Sequence, residues 1–228
     1  MKVVDISGPI YEGMWDYPEP MGTLLKGFQL SSLEFEHGGE RYALEVFDNM
    51  KAQTGTYLES PGRYLESNRY TVSDIPIERL YMMEAYVLSV PYEKMAKKDG
   101  KRFLSVEDVE RAIPKNARIN KGAAILIGTG YGKQWKDDDF FDNSWFFRRE
   151  AMECILAMKP FLLGADSAEW ESPKNPEGIF KIFFPANVLI LAPCINLDTI
   201  HSFHVTLTVL PLKVWGAYIC PVRAVVCE

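Results

Sequence analysis

The sequence predicts an α/β fold in which a mixed β-sheet carries packed helices. Many short apolar runs rich in Val, Ile and Leu are typical of strands, and both ends of the chain contain them. The pattern predicts about three helices. Strands and helices do not alternate strictly along the chain, which favours a mixed sheet in a single domain spanning residues 1–228.

The predicted elements follow in order. Strands are expected at residues 2–6, 28–35, 41–47, 85–90, 123–127, 161–163, 188–192, 206–214 and 222–227. Ser105 suits the N-cap of a helix that ends by Pro114, and residues 147–158 are amphipathic and helical. Residues 14–21 indicate a loop rich in aromatics and prolines. Residues 48–64 lack apolar periodicity and indicate a functional loop.

Composition limits the function classes. The chain has 228 residues, 47% hydrophobic and 25% charged, and a formal net charge of −6. The sequence contains no cluster of basic residues of the kind that binds nucleic acid. The opening residues are too polar for a signal peptide, and no apolar run is long enough to span a membrane. The four cysteines form no C-x-x-C pair, which suits a reducing compartment. We therefore expect a soluble cytoplasmic protein with a small-molecule partner.

One segment of the predicted loop 48–64 carries a motif. It is similar to the signature His-x-Gly-Thr-His-x-Asp-x-Pro-x-His of the cyclase family, typified by bacterial kynurenine formamidase. The Gly-Thr pair and the Pro match in register, and Glu59 replaces the Asp. The segment reads Gln53-Thr54-Gly55-Thr56-Tyr57-Leu58-Glu59-Ser60-Pro61-Gly62-Arg63.

Further segments resemble the same family in the same order, so the resemblance covers essentially the whole chain. They begin at Val4, Ile125, Leu163, Asn196 and Leu210. The resemblance implies a swivelling β/β/α fold, with a mixed sheet, flanking helices and a smaller sheet. It also implies a homodimer or homotetramer.

The family hydrolyses amides with one or two divalent cations, commonly zinc or manganese. Its signature histidines are here Gln53, Tyr57 and Arg63, and its later His and Glu fall near Phe180 and Ala192. An amide and a phenol are poor ligands for such metals. We therefore expect no tightly bound metal cofactor and assign no metal ligand.

The replacement residues suggest a metal-free site. If the segment is extended, odd positions share one side. Glu59 is the predicted acid or base, Tyr57 and Gln53 would donate hydrogen bonds to an oxyanion, and Arg63 would bind a carboxylate or tune Glu59. Predicted substrate-binding residues, from the family's pocket and the Gly-Thr frame, are Trp15, Tyr17 and Thr56.

Three functions stay open. The first is a hydrolase of the arylformamidase or cyclase type, acting on a small amide, lactam or aromatic-carbonyl substrate without tightly bound metal. The second is an inactive relative that binds a small ligand or a protein. The third is a conventional metal hydrolase that uses Glu59 with other acids. The histidines give the third function little support, because His201 and His204 need another ligand to hold a metal and His37 precedes a turn.

Overall fold

The structure is a computed structural model that describes residues 1–18, 26–64 and 70–228. Its described strands are β1 (Val3–Asp5), β2 (Gln29–His37), β3 (Glu40–Asp48), β4 (Tyr57–Glu59), β5 (Met83–Ser89), β6 (Lys97–Lys98), β7 (Lys101–Leu104), β8 (Ala124–Gly128), β9 (Phe146–Phe147), β10 (Leu162–Ala165), β11 (Leu189–Ala192), β12 (His204–Pro211) and β13 (Ile219–Cys227). Its described α-helices are α1 (Val106–Ala112), α2 (Arg149–Ala157) and α3 (Ile179–Phe183).

Eight strands form the main sheet, which closes on itself. Their order is β1-β13-β12-β5-β8-β10-β11-β4, and β4 also pairs with β13. The central strands β5, β8, β10 and β11 are parallel, whereas the pairs that involve β1, β4, β12 and β13 are antiparallel. The predicted mixed sheet is thus confirmed, and the two terminal strands pair with each other.

Two apolar cores lie on the two faces of the closed sheet. The inner face contributes Leu58, Leu126 and Leu191, which pack together away from the helices. The outer face contributes Ile125 and Ile190, among others, and the helices pack against it. Central strands are therefore buried on both faces, which explains why they are apolar runs without alternation.

Two smaller sheets complete the described structure. Strands β6, β7 and β9 form a three-stranded sheet, which matches the smaller sheet implied by the family resemblance. Strands β2 and β3 form a separate hairpin through Gly38 and Gly39. Both glycines have positive φ angles, 62° and 83°, as a two-residue hairpin turn requires.

The structure corrects some predicted boundaries. Residues 48–64 contain strand β4, which the sequence pattern did not reveal because it is only three residues long. Residues 146–147 form β9, so the predicted helix 147–158 begins at Arg149. Of the predicted loop 14–21, residues 14–18 have no regular structure and the remainder lies outside the described residues. Ser105 caps α1 as expected.

The buried carboxylate of Asp166 joins two of the family-like segments. It accepts hydrogen bonds from the Thr129 amide (2.8 Å) and hydroxyl (2.9 Å) and from the Gly130 amide (2.9 Å). The Trp145 indole donates another at 3.1 Å. These bonds fix the ends of β8 and β10 beside each other. In the described part of the chain, no helix combines the length and apolar character needed to cross a membrane.

Candidate functional site

Strand β4 positions two predicted site residues on one face. It pairs with β11 on one side, where Glu59 lies opposite Ile190, and with β13 on the other. Because side chains alternate along a strand, Tyr57 and Glu59 point to the outer face while Leu58 enters the inner core. The expectation that odd positions share a side is confirmed for these two residues.

The Gly-Thr pair before β4 fixes the path of the chain. Gly55 has a φ of +74°, and a Cβ there would lie 2.7 Å from Ile10 Cγ1. The Thr56 hydroxyl accepts a hydrogen bond from the Gly8 amide at 2.8 Å and donates one to the Pro193 carbonyl at 2.6 Å. The structure thus places Thr56 in the frame that supports the site, and Thr56 does not line the cavity described below.

Glu59 is a buried carboxylate beside a guanidinium. Its side chain is 1% exposed, and Arg63 Nη1 lies 3.1 Å from both of its oxygens. A short 3₁₀ turn, Pro61–Arg63, brings the guanidinium back over Glu59. Burial raises the pKa of Glu59 above its ordinary value, and the positive charge of Arg63 opposes that rise.

Two tyrosine hydroxyls meet next to Glu59. The Tyr17 and Tyr57 oxygens are 3.0 Å apart, so one donates to the other. Burial, followed by the nearby Glu59 carboxylate, raises the pKa of Tyr57 to about 12, while the Gln53 amide opposes the rise. Burial also raises the pKa of Tyr17 well above its ordinary value. Both phenols are therefore protonated at neutral pH and can act as hydrogen-bond donors.

These residues meet at one cavity of about 260 Å³. Gln53, Tyr57, Glu59 and Arg63 all line it, as the spacing predicted, and Tyr17 lines it too. The rest of the wall comes from later segments: Phe141, Ala168, Glu169, Trp170, Glu171, Phe180 and Ile190. The cavity combines a polar floor with aromatic walls, a combination typical of small-molecule sites.

Trp15 lies behind this cavity and does not line it. Its ring packs against Trp135 (centroids 5.1 Å apart) and Phe140 (4.8 Å). It lines instead a smaller neighbouring pocket that shares Tyr17 and Gln53 with the cavity. Trp15 therefore supports Tyr17, whose ring meets it edge to face at 5.8 Å. Its predicted contact with substrate does not follow from this placement.

The sequence analysis missed the aromatic wall and two acids. Phe180, which aligns near the family's later His, lies at the cavity. Ala192, aligned with the later Glu, pairs with Tyr57 across the β4–β11 register. Trp170 and its acidic neighbours follow the family-like segment that ends β10, and the carboxyl ends of parallel strands commonly carry site residues. The position of these residues just after β10 was the sequence signal that indicated a place at the site.

The donor set does not fit a family-type divalent cation. The Tyr57 phenol is protonated, and the Glu59 carboxylate is already paired with the Arg63 guanidinium. Of the two other acids, Glu169 pairs with Lys101, and Glu171 accepts from the backbone amides that open α3, including Ile179 at 3.0 Å. Over residues 1–18, 26–64 and 70–228, no three His, Cys, Asp or Glu side chains group to hold a metal. The predicted absence of bound metal remains a prediction.

The histidines lie elsewhere. His204 stacks on Tyr86 with ring centroids 4.9 Å apart, and its Nε2 is 2.9 Å from Glu84 Oε1. His201 is exposed and precedes β12, and His37 is exposed at the end of β2. None of the three lines the cavity. The histidines therefore supply no ligand at this cavity for the third function considered above.

Comparisons with known proteins agree with this architecture. The family model described as "Putative cyclase" matches residues 4–172. The structure is similar to an isatin hydrolase bound to the product analogue thioisatinate, with TM-score 0.80 and 17% identity over 99% of this chain and 91% of that chain. A search of curated proteins found no match.

Two more solved structures are similar. Isatin hydrolase A from Ralstonia solanacearum has TM-score 0.79 and 18% identity, over 99% of this chain and 91% of that one. A predicted metal-dependent hydrolase from Bacillus stearothermophilus has TM-score 0.71 and 20% identity, over 99% and 97%. At these identities the likeness establishes the fold, and it confirms the cyclase-like fold implied by the sequence.

Proposed function

Because this chain belongs to the cyclase family, we propose that it is a hydrolase of a small amide, lactam or aromatic-carbonyl compound that works without tightly bound metal. One observation carries the proposal. A carboxylate that is 1% exposed, Glu59, lines a cavity together with a guanidinium and two protonated phenols. Burying such a charge is costly, so its retention in a concave site favours chemical use.

Glu59 is the general base in this proposal. Burial raises its pKa towards the working pH, and its second role as an acid follows from the same shift. Glu59 takes a proton from water as the water oxygen bonds to the substrate carbonyl carbon. It then gives that proton to the leaving nitrogen as the carbon–nitrogen bond breaks. Protons and bonds balance without another reactant.

Tyr57 and Gln53 stabilise the negative charge on the carbonyl oxygen. Because Tyr57 has a pKa of about 12, it donates a hydrogen bond without losing its proton at neutral pH. Tyr17 holds the Tyr57 hydroxyl in place from 3.0 Å. Arg63, whose side chain is 40% exposed, balances the charge of Glu59 and retains further N–H groups for a substrate carboxylate.

The walls suit a flat aromatic substrate. The cavity has a volume of about 260 Å³, which is smaller than most ligand pockets, and its aromatic wall consists of Phe141, Trp170 and Phe180. A molecule of one or two fused rings that carries a cyclic or acyclic amide is the chemistry this space favours. The similarity to isatin hydrolases supports isatin as a first candidate substrate.

A second function is favoured by one specific contact. Both oxygens of Glu59 lie within 3.1 Å of Arg63 Nη1, so the carboxylate is held in an ion pair before any substrate arrives. An inactive relative that uses this polar floor to bind a small ligand would keep the same pair. The two functions differ in turnover and not in binding.

The test is a hydrolysis assay on chelator-dialysed protein with isatin, N-formylkynurenine and a simple lactam. Activity should appear with at least one compound and fall about 10²–10⁴-fold in Glu59→Gln. The matched control is Glu93→Gln, because the Glu93 side chain is 79% exposed and does not line the cavity. Equal activity in Glu59→Gln would overturn the proposed base. Binding without turnover would select the second function.

A further inference from the structure

A small pocket outside the candidate site is lined mainly by basic side chains. It lies between the turn that joins β6 to β7 and residues 172–174, and its volume is about 50 Å³. Of the described residues that line it, Lys98, Lys101 and Lys174 are basic and Asp99 is acidic. This lysine pocket is therefore locally positive in a chain whose formal net charge is −6. Such a concave positive site attracts anions.

The backbone brings two of these lysines face to face. Strands β6 and β7 are joined by Asp99 and Gly100, whose φ angles of 53° and 88° suit a two-residue hairpin turn. Lys98 is therefore directly opposite Lys101 in the strand register. Like charges at opposite positions of paired strands are destabilising. An anion bound between the two ammonium groups would relieve this repulsion.

The lysine pocket also contains a buried hydrogen-bond donor. Ser172 lines the pocket and is 8% exposed. Its Oγ accepts a hydrogen bond from the Asn175 amide at 3.2 Å, and no described residue accepts the proton of its hydroxyl. The Asn175 side chain donates to Asp99 Oδ2 at 2.8 Å, which ties the loop to the turn. A hydroxyl donor among ammonium groups is a donor set that suits an oxyanion.

Lys101 connects the lysine pocket to the candidate cavity. Its Nζ is paired with the Glu169 carboxylate and lies 5.9 Å from the centre of the Phe141 ring, and both of these residues line the cavity. The Glu169 side chain is 7% exposed. Burial raises the pKa of Glu169, and the charge of Lys101 opposes that rise. An anion in the lysine pocket and the Glu169 carboxylate would thus share one ammonium group.

We propose that the lysine pocket binds a phosphate group, held by its three lysines and by Ser172, and that this group competes with Glu169 for Lys101. A tetrahedral oxyanion presents oxygens in several directions, so it can meet donors from the turn and from the loop at once. The two anions are coupled through their common partner. Because coupling between two sites is reciprocal, a change at Glu169 must alter the affinity for phosphate.

The first test is calorimetric titration with inorganic phosphate, at an ionic strength held constant with sodium chloride. The wild type should bind saturably, with Kd on the order of 1 mM or below. Lys98→Ala with Lys174→Ala should raise Kd at least about tenfold. The matched control, Lys94→Ala with Lys97→Ala, removes the same charge from exposed positions outside the pocket and should bind as the wild type does. Ser172→Ala should weaken binding about threefold to tenfold, although it changes no charge.

The second test uses the shared lysine. Glu169→Gln removes the competitor for Lys101, so this variant should bind phosphate at least about threefold more tightly. AMP carries the same group as an ester and distinguishes two sources: binding as tight as that of inorganic phosphate indicates a nucleotide, whereas exclusion of AMP indicates the free ion.

Three results would overturn the proposal. They are a wild type that binds neither compound saturably, a control that loses as much affinity as the pocket variant, and a Glu169→Gln variant whose affinity is unchanged or weaker. None of these measurements requires a substrate, so their results are independent of the proposed hydrolysis.

Discussion

Nη1 of Arg63 stands 3.1 Å from each oxygen of Glu59, so a single nitrogen bridges the whole carboxylate. This geometry differs from the parallel two-nitrogen fork that arginine commonly forms with carboxylates. The remaining nitrogens of the guanidinium are therefore not used by Glu59. The pair balances the charge of a buried carboxylate.

Replacing Arg63 by Met should destabilise the protein more at neutral pH than at acid pH. Burial raises the pKa of Glu59 and Arg63 opposes that rise, so the variant has a still higher folded-state pKa. A group with a raised folded pKa favours folding below its unfolded pKa, and that contribution disappears as pH rises through the folded pKa. The loss relative to wild type should thus grow from about pH 4.5 to pH 8.

The size of this loss should be about 1–3 kcal/mol at pH 8, less than for a fully buried pair because Arg63 is partly exposed. Urea unfolding across the pH range measures it. Arg223→Met is the control, since Arg223 pairs with Asp5 at the surface and its side chain is 76% exposed. A loss that is the same at every pH would contradict the assigned cause.

The Tyr17–Tyr57 hydrogen bond should appear as coupling between two substitutions. Tyr17→Phe and Tyr57→Phe each remove one hydroxyl of the 3.0 Å pair. The free energies of unfolding of both single variants and the double variant form a cycle, and the expected coupling is about 0.5–1.5 kcal/mol. In an activity assay Tyr57→Phe should be the more damaging of the two. Strict additivity in stability would show that the hydroxyls do not interact.

Purified protein should contain well under one equivalent of zinc, manganese or iron, because the site offers a protonated phenol, an amide and an ion-paired carboxylate. Elemental analysis measures the content, and a chelator should leave the melting temperature unchanged. The double variant Gln53→His with Tyr57→His supplies two imidazoles and should bind added Zn²⁺ more tightly than the wild type. Metal near one equivalent in the wild type would restore the ordinary family mechanism.

Gly55→Ala should reduce stability by about 1–3 kcal/mol. The residue has a φ of +74°, and the new Cβ would meet Ile10 at 2.7 Å. Gly39→Ala is the matched control, since Gly39 has a φ of +83° with open space around it and would bear only the backbone cost. Thermal unfolding of both variants measures the difference. Equal losses would mean that the contact with Ile10 relaxes.

Sequence reasoning located the polar floor of the site because its residues are close together in the chain. Gln53, Tyr57, Glu59 and Arg63 span eleven positions, and a family motif fixes their frame. Phe141, Trp170 and Phe180 come from distant segments and meet only when the sheet folds. Short β4 was missed for a related reason: its three residues form a strand through pairing with β11 and β13, and not through local propensity.

The placement of Thr56 and Trp15 illustrates a second limit. A threonine in a site motif and a tryptophan near a site pocket both suggest ligand contact, yet the Thr56 hydroxyl is occupied by Gly8 and Pro193. Trp15 packs among other rings. The residue type indicates which contacts a side chain can make, whereas the contacts that it does make depend on the groups that surround it in the folded chain.

Strand β4 closes the main sheet, since it is hydrogen-bonded to β11 on one edge and to β13 on the other. Its backbone amides should therefore exchange with solvent hydrogen only when the whole sheet opens. The outward side chains of this strand contribute nothing to those backbone bonds. A lineage could thus replace the outward residue at position 57 and change the chemistry of the cavity while the strand that carries it stayed in place.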